Sequence, residues 1–365
     1  MILSKSNLIQ YVLEQDLVAL ESVVDGDLIV IEATRRNRNF KIIRRNGPGY
    51  FVKQIQNWDP QSVAGLAGEA TCYRLAHSGG DFATLASLMP RHLLYDSQRH
   101  VLVTELLAGS ETLSDYYRRI NTFPLEPALL LGELFGRLHS DEGLVFVSHP
   151  EALAFRRQVP WILSAHQPGA HMFSLRAANA QLLQIIQNYP EFQRTLDELR
   201  NQWQADRLIH GDVKWDNCVV YPVASEYGRL ALKVVDWELA DIGDLRWDLG
   251  GLLQAYISFW VLSMRMSGEM LPAQLASTAQ YPIESMQPSI RAFWRRYLEV
   301  RKLERDAAES LLTLSMSFGA ARMIQTAYES IQYSAQVSPI ALCLLQVSFN
   351  ILRAPSEAVT ELLGL

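Results

Sequence analysis

The stretch Leu208-Ile209-His210-Gly211-Asp212-Val213-Lys214-Trp215-Asp216-Asn217-Cys218-Val219-Val220, continued by Leu232-Lys233-Val234-Val235-Asp236-Trp237-Glu238, decides how this chain is read. It holds two apolar, β-branched runs that read as strands, and each delivers an aspartate at or just beyond its end. Asn217 follows Asp212 at a spacing of His-x-Asp-x-x-x-x-Asn, and Gly243-Asp244 and Asp248-Leu249 close the stretch. Carboxylates and amide carbonyls are hard oxygen donors of the kind Mg²⁺ prefers. A further carboxylate aimed at a hydroxyl can orient it and take its proton.

The spacing from His210 to Asn217 resembles that of a kinase catalytic loop. More specifically, HGDVKWDN followed by VVDWELADIGDLRWDLG resembles the aminoglycoside phosphotransferase and choline kinase-like family. Its pattern is HGD-x-x-x-x-N, then D-W-E or D-F-E, then G-D-x-x-x-D-L. The resemblance implies an α+β, bilobal protein-kinase-like fold, with a small antiparallel-sheet N-lobe, a large mostly helical C-lobe and nucleotide between them. It implies Mg-ATP-dependent transfer of the γ-phosphoryl group to an alcohol hydroxyl of a small molecule or peptide.

The same resemblance assigns roles. Asp212 is the base that orients the acceptor hydroxyl, His210 braces its loop, and Asn217 and Asp236 are the Mg²⁺ ligands. Asp248 fixes the loop by accepting backbone hydrogen bonds. Glu238 stands where a protein kinase has the glycine of its DFG segment, which argues against a flipping switch. Lys214 departs from the small-molecule enzymes, which often have histidine there. Ser/Thr protein kinases have a lysine at that place that neutralises the transferred phosphate, so Lys214 is either catalytic in this way or solvated.

Working outward, Asp27–Ile31 and Phe40–Ile43 read as a hairpin around Thr34-Arg35-Arg36-Asn37-Arg38-Asn39. In the resembled fold this turn covers the ATP phosphates with glycine backbone. Here it contains no glycine, so Arg36 and Asn39 are the candidates to cover them with side chains; a solvated turn is the competing reading. Lys53 lies centrally on the apolar strand Tyr50–Gln54, where burial is costly without an anionic partner. Glu69, on the helical pattern that follows, resembles that partner, the pair holding the α- and β-phosphates. Arg91–Tyr95 and His100–Leu107 read as a second hairpin, and backbone groups from Glu105 to Leu107 are expected, by position, to meet adenine.

From residue 109 the pattern turns helical, with helices expected over 111–120, 125–140, 175–189, 191–205, 247–267, 286–303, 305–333 and 338–351. Residues 141–172 read as irregular. The lobes are accordingly placed at 1–108 and 109–365. The 365 residues are 49% hydrophobic and 20% charged, ordinary for a globular protein with a sizeable core. A net charge of -6 argues against a nucleic-acid partner despite the basic cluster Arg35 to Arg45. Three scattered cysteines without metal-ligand spacing read as reduced thiols of a cytoplasmic protein. Neither a signal peptide nor a membrane span is expected.

Two other readings stand beside the kinase. One is a Ser/Thr kinase acting on a ribosomal precursor peptide during lanthipeptide-type dehydration, left open by the basic turn and Lys214. The other is an inactive nucleotide-binding scaffold, suggested by the glycine-free turn and opposed by the filled acidic positions. Acceptor identity, oligomeric state and ATP against GTP preference are not written in the sequence.

Overall fold

Strands separated by polar turns build the first third of the chain, and amphipathic helices most of the rest. The computed structural model describes residues 1–34, 37–141, 144–167, 176–223, 228–265 and 272–365. The chain opens with α1 (Leu8–Glu14) and α2 (Leu20–Val24), then β1 (Leu28–Glu32), β2 (Arg38–Arg44) and β3 (Gly49–Gln54). α3 (Pro60–Ala76) and α4 (Ala83–Leu88) precede β4 (His92–Asp96), β5 (Val101–Leu106) and the short β6 (Glu111–Thr112). Helices α5 (Leu113–Ile120), α6 (Leu125–Leu138), α7 (Leu144–Ser148), α8 (Ala177–Asn188) and α9 (Pro190–Asn201) follow. The motif stretch lies on β7 (Arg207–Ile209), β8 (Cys218–Pro222), β9 (Leu230–Val234) and β10 (Asp241–Gly243). The chain closes with α10 (Leu245–Leu262), α11 (Pro272–Ala276), α12 (Ile283–Arg301), α13 (Arg305–Ser330), α14 (Pro339–Arg353) and α15 (Pro355–Ala358).

Two expectations change. The helix expected over 111–120 starts at Leu113, because Glu111 and the β-branched Thr112 pair with Val220 and Val219 instead. The segment expected to be irregular contains α7 and two tight helical turns, Pro150–Ala154 and Trp161–Ser164.

The residues group into two compact units that do not follow chain order. Met1–Thr112 joins with Asn217–Ala240, and Leu113–Asp216 joins with Asp241–Leu365. In the first unit an antiparallel sheet runs β1-β2-β3-β5-β4. Alternation along β2 and β3 points Phe40, Ile42, Tyr50 and Val52 to one face, where Leu8, Tyr11 and Val12 of α1 cover them. The β8–β9 hairpin, extended by β6, belongs to the same unit. Lys233 on β9 ties it down by donating to the Ala86 and Ser87 carbonyls at the end of α4, at 3.1 and 2.9 Å. Helix C-termini favour a cation there.

In the second unit α6 packs on α12, and α13 packs on both α10 and α14. The α10–α13 contact is made at a glycine pair: a Cβ at Gly319 would sit 2.8 Å from the Gly250 oxygen. Only two glycines allow so close a backbone approach. A small antiparallel-sheet lobe and a larger, mostly helical lobe are the two parts of a bilobal kinase-like fold. No described helix is long and apolar enough to cross a membrane.

Candidate active site

The first unit gathers charge around one buried amine. On β3, Tyr50 and Val52 take the face under α1, which turns Lys53 to the other face. Lys53 is 5% exposed, and its Nζ donates to Glu69 Oε2 at 2.7 Å. It also pairs with Asp236 and, at 3.2 Å, with Glu238 Oε2. Glu69 arrives on α3, whose start is set by the Asp59 side chain accepting the Gln61 and Ser62 amides, with Pro60 in the first turn. Asp236 and Glu238 arrive from the end of β9. Asp236 holds a left-handed backbone, φ 67° and ψ 56°, that non-glycine residues adopt rarely. The fully buried Trp237 pins the bend by donating its indole N–H to the Val234 carbonyl at 2.9 Å.

One lysine cannot neutralise three carboxylates. Burial would drive Lys53 toward the neutral form, but Glu69, Asp236 and Glu238 outweigh it and hold the ammonium charged well above the ordinary lysine range. Burial pushes Glu69, the innermost carboxylate, up to about 7 against the pull of Lys53. Among the described residues, ligand oxygens of Glu69, Asp236 and Glu238 lie within 4.8 Å of one another. This hard-oxygen donor set fits Mg²⁺. Asn217 lies at the open end of the β8–β9 hairpin, where its backbone carbonyl accepts the amide of Val235, the residue before Asp236, at 2.9 Å.

The second unit carries the His210–Asp212 loop after β7. Gly211 has φ +79°, which its missing side chain permits, and this turns the backbone out of the strand. Asp248 on α10 fixes the turn, its carboxylate accepting the His210 amide at 2.7 Å and the Gly211 amide at 3.0 Å. His210 is fully buried and its Nδ1 accepts the Asp212 amide at 3.2 Å, so it braces the loop. Lys214 Nζ lies 2.7 Å from Asp212 Oδ2, and Arg322 Nη2 lies 2.8 Å from Asp212 Oδ1. Burial would raise the Asp212 pKa, but Arg322 and Lys214 together hold it far below the usual carboxylate range. Asp212 is an ionised, weakly basic carboxylate gripped at both oxygens.

The sequence model described as APH, the phosphotransferase enzyme family, matches residues 27–286, more than half of the chain. The chain belongs to the phosphotransferase enzyme family. No curated protein sequence matches it. Among solved structures, a Plasmodium vivax ethanolamine kinase superposes with TM-score 0.61 at 12% identity, covering 96% of this chain and 90% of that one. A choline/ethanolamine kinase family protein from Mesorhizobium loti gives TM-score 0.51 at 17% identity, covering 97% and 95%. The GDP complex of an aminoglycoside 2'-phosphotransferase-IIIa mutant gives 0.54 at 13%, covering 98% of each chain. At these identities the likeness is one of fold. Family membership supports a kinase-type phosphotransferase activity for this chain.

In this phosphotransferase the structure brings Lys53, Glu69 and Asp236 together in one unit, and His210, Asp212 and Lys214 in the other. Arg36 lies outside the described residues. Asn39 is opposite Lys53 in the β2–β3 register, and its buried Oδ1 has no partner among the described residues. Glu105 lies on β5 and bonds to Arg91. Its amide donates to the Arg91 carbonyl at 2.9 Å, and its carboxylate accepts the Arg91 amide at 2.7 Å. Leu107, just beyond β5, accepts the Ser110 amide at 3.3 Å. Sequence reasoning missed Arg322, the Asn37–Glu238 contact and the place of Glu238 in the carboxylate cluster. The D-W-E pattern held a signal for Glu238. A single arginine in a helix that reads as core held none.

Proposed function

We propose that this phosphotransferase transfers the γ-phosphoryl group of ATP to an alcohol hydroxyl of a small molecule or peptide. The observation that carries this reading is the buried Lys53–Glu69 pair shared with Asp236. An ammonium so deeply desolvated, beside a carboxylate set that fits a divalent cation, is built for phosphate charge. Lys53 binds the phosphates of the donor, and Glu69 keeps its ammonium aimed. Asp236 and Asn217 are the proposed Mg²⁺ ligands, with Glu69 and Glu238 as neighbouring donors, and the bound ion supplies neutralisation of phosphate charge.

Asp212 accepts a hydrogen bond from the acceptor hydroxyl. As the new O–P bond forms, the bond from the γ-phosphorus to its bridging oxygen breaks and ADP leaves with that electron pair. The hydroxyl proton passes to Asp212. A carboxylate held this strongly ionised orients the hydroxyl early and takes the proton late, which suits a loose transition state. Lys214, bound to Asp212 in this structure, is the proposed partner of the transferred phosphoryl charge.

The test is Mg-ATP turnover against amino alcohols, aminoglycosides and Ser/Thr peptides, read by mass. The expected result is one product heavier by a phosphoryl group, formed only with Mg²⁺. ATP binding that is indifferent to Mg²⁺, with no product from any acceptor, would overturn the reading in favour of a scaffold.

A further inference from the structure

Arg322, beside the His210–Asp212 loop, belongs to no motif of the sequence. It lies on α13, beyond residues 27–286 that match the family, and 110 residues from the aspartate it touches. Its side chain is 5% exposed. Burying a guanidinium is costly unless it is paired and hydrogen-bonded. Here the partners are specific. Nη2 donates to Asp212 Oδ1 at 2.8 Å, and Nη1 donates to Gln325 Oε1 at 3.2 Å. The guanidinium carbon sits 5.2 Å from the centroid of the Trp247 ring. Trp247 in turn donates its indole N–H to the Gly211 carbonyl at 2.9 Å.

The helix crossing explains how a distant residue reaches the loop. Gly250 and Gly319 bring the α10 and α13 backbones into contact. Trp247 lies three residues before Gly250, and Arg322 three residues after Gly319. Residues three apart share a helix face, so both side chains project from the crossing on the side where the His210–Asp212 loop runs.

The two cations on Asp212 differ in kind. Lys214 is 35% exposed, on a flexible stem that ends in a single charged point. Arg322 is enclosed, and its planar fork is fixed by Trp247 and Gln325. Gln325 is itself held by Glu329 Oε1 at 2.8 Å. A phosphoryl group that draws Lys214 away would leave one Asp212 oxygen released and the other still gripped.

We propose that Arg322 is a positioning residue, the permanent counter-ion that keeps Asp212 oriented while Lys214 exchanges Asp212 for the transferred phosphate. The proposal rests on the phosphotransferase reading for its role in turnover. The grip itself is independent of that reading.

The experiment uses the full chain with Arg322→Met and Arg322→Lys. It follows hydrogen exchange of backbone amides and release of inorganic phosphate from Mg-ATP with water as acceptor. In Arg322→Met, amides of Gly211, Asp212 and Val213 should exchange faster while amides of Phe318 to Ile324 in α13 stay protected. Phosphate release should drop about 10²-fold in kcat, as for a misplaced catalytic group, with KM for ATP little changed. Arg322→Lys, which keeps charge without the fork, should fall between wild type and Arg322→Met in both readouts. Unchanged loop exchange overturns the proposal, and so does loss of protection through α13 as well, which marks a merely structural arginine. The same two criteria apply to Arg322→Lys should Arg322→Met not fold. A wild-type chain that releases no phosphate and also phosphorylates no acceptor of the alcohol and peptide panel, with loop exchange raised selectively in the variants, would leave the grip standing and overturn the phosphotransferase reading alone.

Discussion

Asn37 and Glu238, 201 residues apart in the chain, are joined by a 2.8 Å hydrogen bond from side-chain amide to carboxylate. The same oxygen, Glu238 Oε2, also lies 3.2 Å from Lys53 Nζ. The buried side chain of Asn37, just before β2, is therefore tied through Glu238 to Lys53. A glycine-rich turn would give close backbone approach, whereas Asn37 gives a side-chain anchor.

Two substitutions separate the anchor from the charge. Asn37→Ala removes a hydrogen bond to a carboxylate, an interaction worth about 1.5–3 kcal/mol, and should lower unfolding stability and Mg-ATP affinity together. Glu238→Gln keeps an acceptor for Asn37 and removes the charge, so its main effect should be a weaker Mg²⁺ enhancement of ATP binding. Calorimetric titration with and without Mg²⁺ reads both. An undiminished enhancement in Glu238→Gln removes Glu238 from the cation-binding set.

The Lys53 cluster predicts an asymmetry. Lys53→Ala leaves three carboxylates facing one another, whereas Glu69→Gln leaves Lys53 with Asp236 and Glu238. Removing one partner of a buried pair costs about 3–5 kcal/mol, and Lys53→Ala should reach that range while Glu69→Gln falls below it. Urea unfolding of both variants and of the double variant measures the coupling. Equal single losses that add without coupling would show that the two residues do not act as a pair.

These contacts divide by how far the sequence lets one see. His210, Asp212, Asn217, Asp236 and Asp248 were legible because they stand at fixed spacings in one stretch, and spacing survives without knowledge of packing. The Lys53–Glu69 pair was legible because an interior lysine on an apolar strand demands an anion. Arg322 was not, since its partner is chosen by the Gly250–Gly319 crossing, a tertiary fact. The return of Asn217–Ala240 to the strand-rich unit was likewise hidden. It depends on β6 pairing with β8 and on Lys233 reaching the α4 carbonyls.

Gly319→Ala tests the crossing. A methyl placed 2.8 Å from the Gly250 oxygen must push α13 away from α10, and overpacking of this kind costs about 1–3 kcal/mol. Because Arg322 and Trp247 project from the same crossing, turnover should fall in the folded variant even below its unfolding midpoint. A variant that loses stability but keeps wild-type kcat would disconnect the crossing from the loop.

Asp248 predicts a pH dependence. Burial pushes its pKa from 3.8 up to about 7, although the His210 and Gly211 amides favour the ionised form. In the window between those values the folded chain holds a proton that the unfolded chain has released. This contribution to stability is full below about pH 3.8 and is lost as pH rises through about 7. Asp248→Asn cannot titrate, so its unfolding free energy should fall less between pH 5 and pH 7 than that of wild type, whatever its absolute loss. Parallel stability curves for the two proteins would mean that Asp248 is ionised throughout the window.

Asp212→Asn separates enzyme from scaffold. The amide keeps the size of the carboxylate and loses its charge and basicity. Nucleotide is assigned to Lys53 and the carboxylate cluster, so Mg-ATP affinity should change little. Turnover should fall by roughly 10²–10⁴, the range for a positioned acid–base group. Intact binding with lost kcat marks an interaction made in the transition state. Stability should fall too, because Arg322 and Lys214 are left facing a neutral group, and the buried Arg322 has no other anion at hydrogen-bonding distance among the described contacts. Adding Arg322→Met should restore part of that stability without restoring turnover, since removing both members of a buried pair costs less than removing one. Equal turnover by wild type and Asp212→Asn would defeat the catalytic assignment. A double variant no more stable than Asp212→Asn would defeat the pairing.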